Sequence, residues 1–331
     1  MIVDCAHYLD GLRQSDAPLA LEEAAQYCRQ GGFVWLGMFE PSSEEMDRVR
    51  DAFSLHELAV EDARTFHLRP KIEDFEPNVK LVILRTARYD EAREEVDFGE
   101  ISVFVGPNFV ITVRQGVASE LHAARLRLEQ HPELIELGTD SVLWAILDHV
   151  VRGYGPVVAD LEHDIEQIEG TVFSGTVAPT ERIYLLRREV TNFYRAAHPM
   201  LSMLTTVQRS IDAPALVPYI RDVHDNLQLI SEEIAAQRDL LATILQANIA
   251  VISVEQTRIS LQQSGTMERL TVLATVFLPL TFVTGFFGQN FDWLVGHITG
   301  LGRFIELGIG GLVIPLALLW LWLRKTRPSQ S

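Results

Sequence analysis

The chain has 331 residues, 47% of them apolar and 22% charged, with 45 acidic against 28 basic side chains and a formal charge of −17. Residues 266–331 hold five Lys/Arg and three acids, so residues 1–265 keep 23 basic and 42 acidic groups, a charge of −19. So acidic a body repels phosphate backbones, which argues against nucleic acid as a partner and favours cations. Two cysteines, Cys5 and Cys28, exclude a disulfide scaffold and a Cys-rich zinc module. Met1–Gly11 has no apolar core of the kind a signal peptide needs.

Residues 1–140 read as an α/β domain with an antiparallel-rich sheet. Gly32–Phe39, Val79–Tyr89, Glu100–Val105 and Phe109–Arg114 are β-rich, and Gly106-Pro107-Asn108 predicts the turn of a hairpin between the last two. Ser42–Phe53 opens with Ser-Ser-Glu-Glu, a helix start. Residues 141–266 read as a helical bundle and stalk. Two long helices are expected over Val142–Ile168 and Pro179–Arg209, separated by a Gly/Ser/Thr/Pro stretch around Gly170–Thr180. Tyr219–Ser264 then runs 46 residues without Gly or Pro. Its apolar residues Ile220, Val223, Leu227, Ile230, Ile234, Leu241 and Ile244 largely follow three- and four-residue steps. That seam fits either a long stalk or an antiparallel bundle within one chain.

Two apolar segments follow. Leu270–Phe287 has eighteen residues and no charge, enough for roughly 27 Å of helix and close to the hydrocarbon thickness. Between Arg303 and Arg324 lie twenty residues with the single charge Glu306. The expected spans are 267–287 and 304–323, joined by an outer loop over 288–303 and followed by a basic tail over 324–331. Pro279 and Pro315 are better tolerated in membrane helices than in soluble ones. Trp320 and Trp322 ahead of Arg324, Lys325 and Arg327 read as an interface belt with a cytoplasmic flank. Both termini are then expected in the cytoplasm, with the chain anchored in a bacterial inner membrane.

No nucleophile–base set, phosphate loop or dinucleotide fingerprint is visible, so no enzyme activity is expected. Cys5-x-His7 is too small a pair to predict a metal centre. On the first span Met267, Thr271, Ala274, Leu278, Thr281, Gly285 and Gly288 recur at three- and four-residue steps. Such a stripe of small and hydroxyl-bearing residues either lets helices pack closely in lipid or, in several copies, lines a narrow pore.

At the outer end stands Gly288-Gln289-Asn290, then Phe291 and Asp292. Here the sequence resembles the CorA family of divalent-cation channels, whose signature is Gly-Met-Asn; Gln289 is the departure. Phe277-Leu278-Pro279-Leu280-Thr281-Phe282-Val283-Thr284-Gly285 is similar to that family's first span. Leu55-His56-Glu57-Leu58-Ala59-Val60-Glu61-Asp62, Arg69-Pro70-Lys71 and Tyr219-Ile220-Arg221-Asp222-Val223-His224-Asp225 resemble it upstream, so the likeness runs through most of Leu55–Asp292 in order.

The resemblance implies a funnel-shaped homopentamer in a lipid bilayer, with a pore lined by the first span. It makes Gly288, Gln289, Asn290 and Asp292 the ion-selecting mouth, and Met267, Thr271, Ala274, Leu278, Thr281 and Gly285 the pore lining. Met267 and Leu278 are the expected apolar constriction, with Ser260 and Ser264 as other candidates for the narrow cytosolic end. Magnesium is the expected cargo, with cobalt and nickel as further candidates. It is a small hard cation that keeps its water, which a ring of neutral carbonyls can bind without trapping. Cytosolic magnesium between subunits is expected to close the channel, through Glu61, Asp62 and Asp222 and through a second cluster, Glu162 and Glu166. Asp292 and Glu306 add negative charge at the outer side. Gln289 also keeps open a related zinc-moving branch, in which flux is coupled to protons; a non-conducting membrane-tethered sensor is the alternative of another class.

Overall fold

The structure, a computed structural model, describes the chain except residues 15–16, 77, 118–119, 289–291, 299, 312, 315–316, 319 and 322–331. It divides into two compact units, Met1–Val251 and Ile252–Ser331.

The first unit is built on a seven-stranded mixed sheet. Its strands are β1 (Ile2–Leu9), β2 (Leu12–Arg13), β3 (Phe33–Phe39), β4 (Lys71–Phe75), β5 (Val79–Asp90), β6 (Glu95–Val105) and β7 (Phe109–Gly116), in the order β2-β1-β3-β7-β6-β5-β4. Only β3 and β7 pair in parallel; the other neighbours are antiparallel. The expected hairpin is present: β6 and β7 are joined through Gly106, whose N–H donates to the Phe109 carbonyl (2.9 Å). Alternation sorts the side chains. Val34, Leu36 and Met38 join one apolar cluster with α1 (Leu21–Tyr27), α2 (Ser43–Phe53) and α3 (Glu57–Arg64). Phe33 and Trp35 join the other, with α4 (His122–Glu129), α5 (Pro132–Ile135) and α6 (Thr139–Phe173). The helix expected from Ser42 begins with a complete capping box, Ser42 and Glu45 each accepting the other's main-chain N–H.

Beyond α6, the single helix expected over Pro179–Arg209 is two, α7 (Thr180–Ala197) and α8 (Met200–Ser210). Pro199 explains the break: it has no N–H to donate and its ring clashes with the preceding turn. Pro156, by contrast, sits inside α6, where Tyr154 is fully buried against the sheet and its hydroxyl donates to the Arg85 carbonyl. The glycine- and proline-free run lies in α9 (Val217–Phe287), which contributes to both units. Its seam residues Ile220, Val223, Leu227, Ile234, Leu241 and Ile244 are buried with α6, α7 and α8, so within the first unit the seam serves a bundle inside one chain.

Asn248 of α9 is fully buried and fastens the loop before α7. Its Oδ1 accepts from Ala178 N–H (3.0 Å), and its Nδ2 donates to the Ala178 carbonyl (3.1 Å) and to Thr180 Oγ1 (3.2 Å). Asn248→Leu leaves a buried N–H and carbonyl unpaired. It is expected to lower stability by about 2–4 kcal/mol, read as a reduced denaturant midpoint with an unchanged slope.

In the second unit α9 carries an apolar window long enough to cross a membrane, with none of it buried. After it come α10 (Asp292–His297), α11 (Leu301–Phe304) and a π-turn over Ile305–Ile309 that contains Glu306. The stretch expected to loop between spans therefore contains short helices. The second expected span lies partly outside the described residues.

Candidate ion path and regulatory carboxylates

The six stripe residues Met267, Thr271, Ala274, Leu278, Thr281 and Gly285 are all exposed along α9 in the single chain. The two expected constriction residues are wide open to the surroundings, Met267 at 62% and Leu278 at 71%. Each threonine on this segment satisfies its own proton. Thr271 donates to the Met267 carbonyl (2.8 Å), Thr275 to Thr271 (2.5 Å), Thr281 to Phe277 (2.8 Å) and Thr284 to Leu280 (2.9 Å). A hydroxyl used this way turns its lone pairs outward, so the face offers oxygen acceptors at no cost of an unpaired donor. Pro279 has no N–H, which deprives the Thr275 carbonyl of the main-chain donor another residue would supply.

The helix closes at Gly288, whose N–H donates to the Thr284 carbonyl (2.9 Å). Gln289 and Asn290 of the expected mouth lie outside the described residues. Asp292 opens α10 and is exposed, as is Glu306.

The expected regulatory acids all belong to the first unit. Glu61 and Asp62 lie on α3, Glu162 and Glu166 are exposed one turn apart on α6, and Asp222 is exposed on α9. Among the described residues no three His, Cys, Asp or Glu side chains gather where they could hold a metal ion, so one chain alone does not assemble these acids. Asp62 has partners already: its Oδ2 accepts from Lys71 Nζ (2.7 Å) and its Oδ1 lies 3.8 Å from His67 Nε2. Asp222 accepts from Asn226 Nδ2 (3.2 Å) and lines a cleft with Arg127, Asp148 and Arg152. In that cleft the buried Asp148 carboxylate holds Arg127 (2.6 Å) and Arg152 (2.8 Å).

Sequence reasoning passed over the network behind Asp62. Glu100, 1% exposed on β6, accepts from the His67 main-chain N–H (2.6 Å), with His67 Nδ1 3.4 Å from its other oxygen. Arg85 on β5 donates to the His67 carbonyl (3.0 Å), its guanidinium between the rings of Phe66 and Phe98 at 4.3 and 5.0 Å. Burial pushes the Glu100 carboxyl up and the Arg85 guanidinium down. The sequence signal is their position, Arg85 directly after the apolar run Leu81–Leu84 and Glu100 directly before the largely apolar Ile101–Val105.

The Cys5-x-His7 pair has a structural use, since His7 Nε2 bonds the Gly31 carbonyl (2.8 Å) and its ring stacks on Tyr27. Burial pushes the Cys5 thiol up to about 12 and Cys28 up to about 11. Both thiols are protonated at neutral pH, so maleimide labelling of the native chain is expected to be slow at pH 7 and to accelerate only as pH rises towards 11. Labelling complete within minutes at pH 7 would contradict this.

The model of the CorA-like Mg2+ transporter protein family matches residues 30–325. The chain belongs to this family. Its similarity to the cobalt/magnesium transport protein CorA of Thermotoga maritima is 25% identity, across 86% of the chain and 80% of that protein. The zinc transport protein ZntB of Yersinia pseudotuberculosis is 24% identical, across 93% of the chain and 90% of its own length. Among solved structures, the full-length CmaX protein superposes with a TM-score of 0.69 at 20% identity, covering 99% of this CorA-family chain and 98% of its own. The complete CorA magnesium transporter of Methanocaldococcus jannaschii gives 0.62 at 16% identity, covering 96% and 98%. These structural likenesses show a shared fold over 99% and 96% of the chain.

Proposed function

We propose that this chain is a homopentameric divalent-cation channel of a bacterial inner membrane, admitting magnesium and, less selectively, cobalt or nickel. The observation that carries the reading is the exposed membrane-length segment of α9. One face of it combines small residues with threonines whose protons are already satisfied. Five such faces about an axis make a narrow conduit of hydroxyl acceptors interrupted by the apolar rings of Met267 and Leu278. Two spans, the second within 304–323, keep both termini in the cytoplasm. Gly288, Gln289, Asn290 and Asp292 form the outer mouth, where amide carbonyls hold the ion through its water.

Magnesium that accumulates in the cytosol closes the pore by binding carboxylates of adjacent subunits, Glu61 and Asp62 against Asp222, with Glu162 and Glu166 as a second cluster. The donor set suits a hard cation, being oxygen throughout. Among the described residues no three such side chains gather within one chain, so in this reading closure draws carboxylates from adjacent subunits. A second reading, zinc as cargo with proton coupling, is favoured by Gln289 in the middle of the tripeptide and by the likeness to the zinc transport protein. Only His297 in the expected outer loop offers the nitrogen that zinc prefers. The test is complementation: bacteria stripped of their own magnesium uptake should grow at low magnesium when given this chain. Failure to grow, with the protein present in the membrane, would sink the magnesium reading; zinc hypersensitivity in its place would establish the second.

A further inference from the structure

The regulatory carboxylate Asp62 carries its own cation. Lys71 reaches it from the edge strand β4, Nζ to Oδ2 at 2.7 Å, and the same ammonium lies 3.1 Å from Glu73 Oε1. Lys71 and Glu73 are two residues apart on one strand and so project from the same side of the sheet. Asp62 and Lys71 are half-buried, at 30% and 27% exposure, while Glu73 is exposed at 45% and gives the ammonium an acceptor on the solvent side. Burial works against the Lys71 charge, yet the bonds and charges of Asp62 and Glu73 outweigh it and raise the ammonium's pKa. Lys71 is therefore a permanent cation at physiological pH, shared between two acids.

Two features make this more than a surface ion pair. The α3–β4 loop that sets the spacing is pinned from below, since Glu100 holds the His67 N–H and Arg85 the His67 carbonyl. Asp62 and Lys71 are thus presented at a fixed separation by elements anchored in the core. And Lys71 has a second place to go: leaving Asp62 costs it one bond while Glu73 keeps the other.

We propose that Lys71 is a tethered competitor for the cytosolic divalent cation at Asp62, and that Glu73 is the acceptor onto which it retreats when the cation binds. This rests on the reading of Asp62 as a closing ligand. A magnesium ion approaching Asp62 meets a carboxylate already neutralised and must displace the ammonium. The Lys71 charge therefore raises the magnesium concentration at which the channel shuts, and Glu73 lowers it by stabilising the displaced amine. The pair sets the threshold without touching the ion path.

Full-length protein in liposomes supplies two readouts for magnesium: the internal concentration that halves flux, and the concentration that half-saturates protection of the assembled protein from protease. Asp62→Asn is the control on the underlying reading. Lys71→Gln should lower both concentrations by about threefold, the effect of a half-exposed pair; Lys71→Arg, which keeps the charge, should stay near wild type. Glu73→Gln should raise both by about twofold. Simple loss of charge would give the same signs, so the double variant decides. With Lys71 gone, nothing needs a refuge, and Glu73→Gln should have no effect in the Lys71→Gln background. An undiminished Glu73 effect there, or no shift in Lys71→Gln while Asp62→Asn shifts both readouts, would overturn the competitor role. If Asp62→Asn itself changes neither readout, the closing-ligand reading falls, and the competitor role falls with it.

Discussion

Asn290→Ala is expected to reduce magnesium uptake by at least about tenfold while leaving folding and assembly intact. The proposed mouth binds a hydrated ion through five neutral carbonyls, a weak but repeated interaction that selects without trapping. Magnesium gives up its water reluctantly, so ligands that reach its inner shell would have to replace that hydration, whereas outer-shell carbonyls accept from the bound water. Removing five acceptors at once takes away the site where the ion waits before entering. Even about 1.4 kcal/mol of lost stabilisation is a factor of ten in occupancy. The helix terminus is preserved in the variant, since the Gly288 N–H bonds the Thr284 carbonyl whatever follows. Gln289→Ala should cost less if Asn290 is the principal acceptor. Flux measured per assembled oligomer checks both, and wild-type rates in Asn290→Ala would remove the mouth from its proposed place.

The second large effect is on stability. Glu100→Ala is expected to cost about 3–5 kcal/mol, the usual consequence of removing one member of a buried charged network. It leaves the His67 N–H without its acceptor and the Arg85 guanidinium, 5% exposed, without its neighbouring countercharge. Glu100→Gln keeps an oxygen for His67 and should avoid that loss. The pH dependence follows from the direction of the Glu100 shift. Burial raises its pKa, so the stability the carboxyl contributes is complete below the unfolded value and declines as pH rises through the raised folded one. Below that raised value the wild-type side chain is itself neutral, so wild type and Glu100→Gln should converge in acid, with wild type becoming the less stable of the two as pH increases. Denaturant titrations across pH read this directly; a gap that widens towards acid would contradict it.

The sheet strands that bury both faces announced themselves as apolar runs, and Gly106-Pro107-Asn108 marked the hairpin turn. Strands β1 and β4 did not, because Asp4 and His7 interrupt the first and Lys71, Glu73 and Asp74 the second. Edge and near-edge positions take their strand form from pairing rather than composition. Pro199 was visible, but its helix break was hidden by the apolar period continuing across it. In the seam of α9, spacing alone could not choose between partners within the chain and partners in other copies. Burial against α6, α7 and α8 decided it for the first unit. The stripe from Met267 to Gly285 shows in the sequence only as small and hydroxyl-bearing residues at three- and four-residue steps, and in the single chain it is exposed along α9. The Glu100–His67–Arg85 network was not legible, since its members lie 15 to 33 residues apart and meet only through the fold.

The measurement that bears most directly on the account is divalent-ion flux into proteoliposomes holding the purified, assembled protein. Magnesium and zinc are compared under an imposed inside-negative voltage and, separately, under a proton gradient. A divalent ion gains about 4.6 kcal/mol from 100 mV, so a channel should show magnesium entry that rises with voltage and ignores the proton gradient. Zinc entry driven by the proton gradient, with no voltage-driven magnesium flux, would contradict the magnesium channel; no flux of either ion would contradict transport altogether.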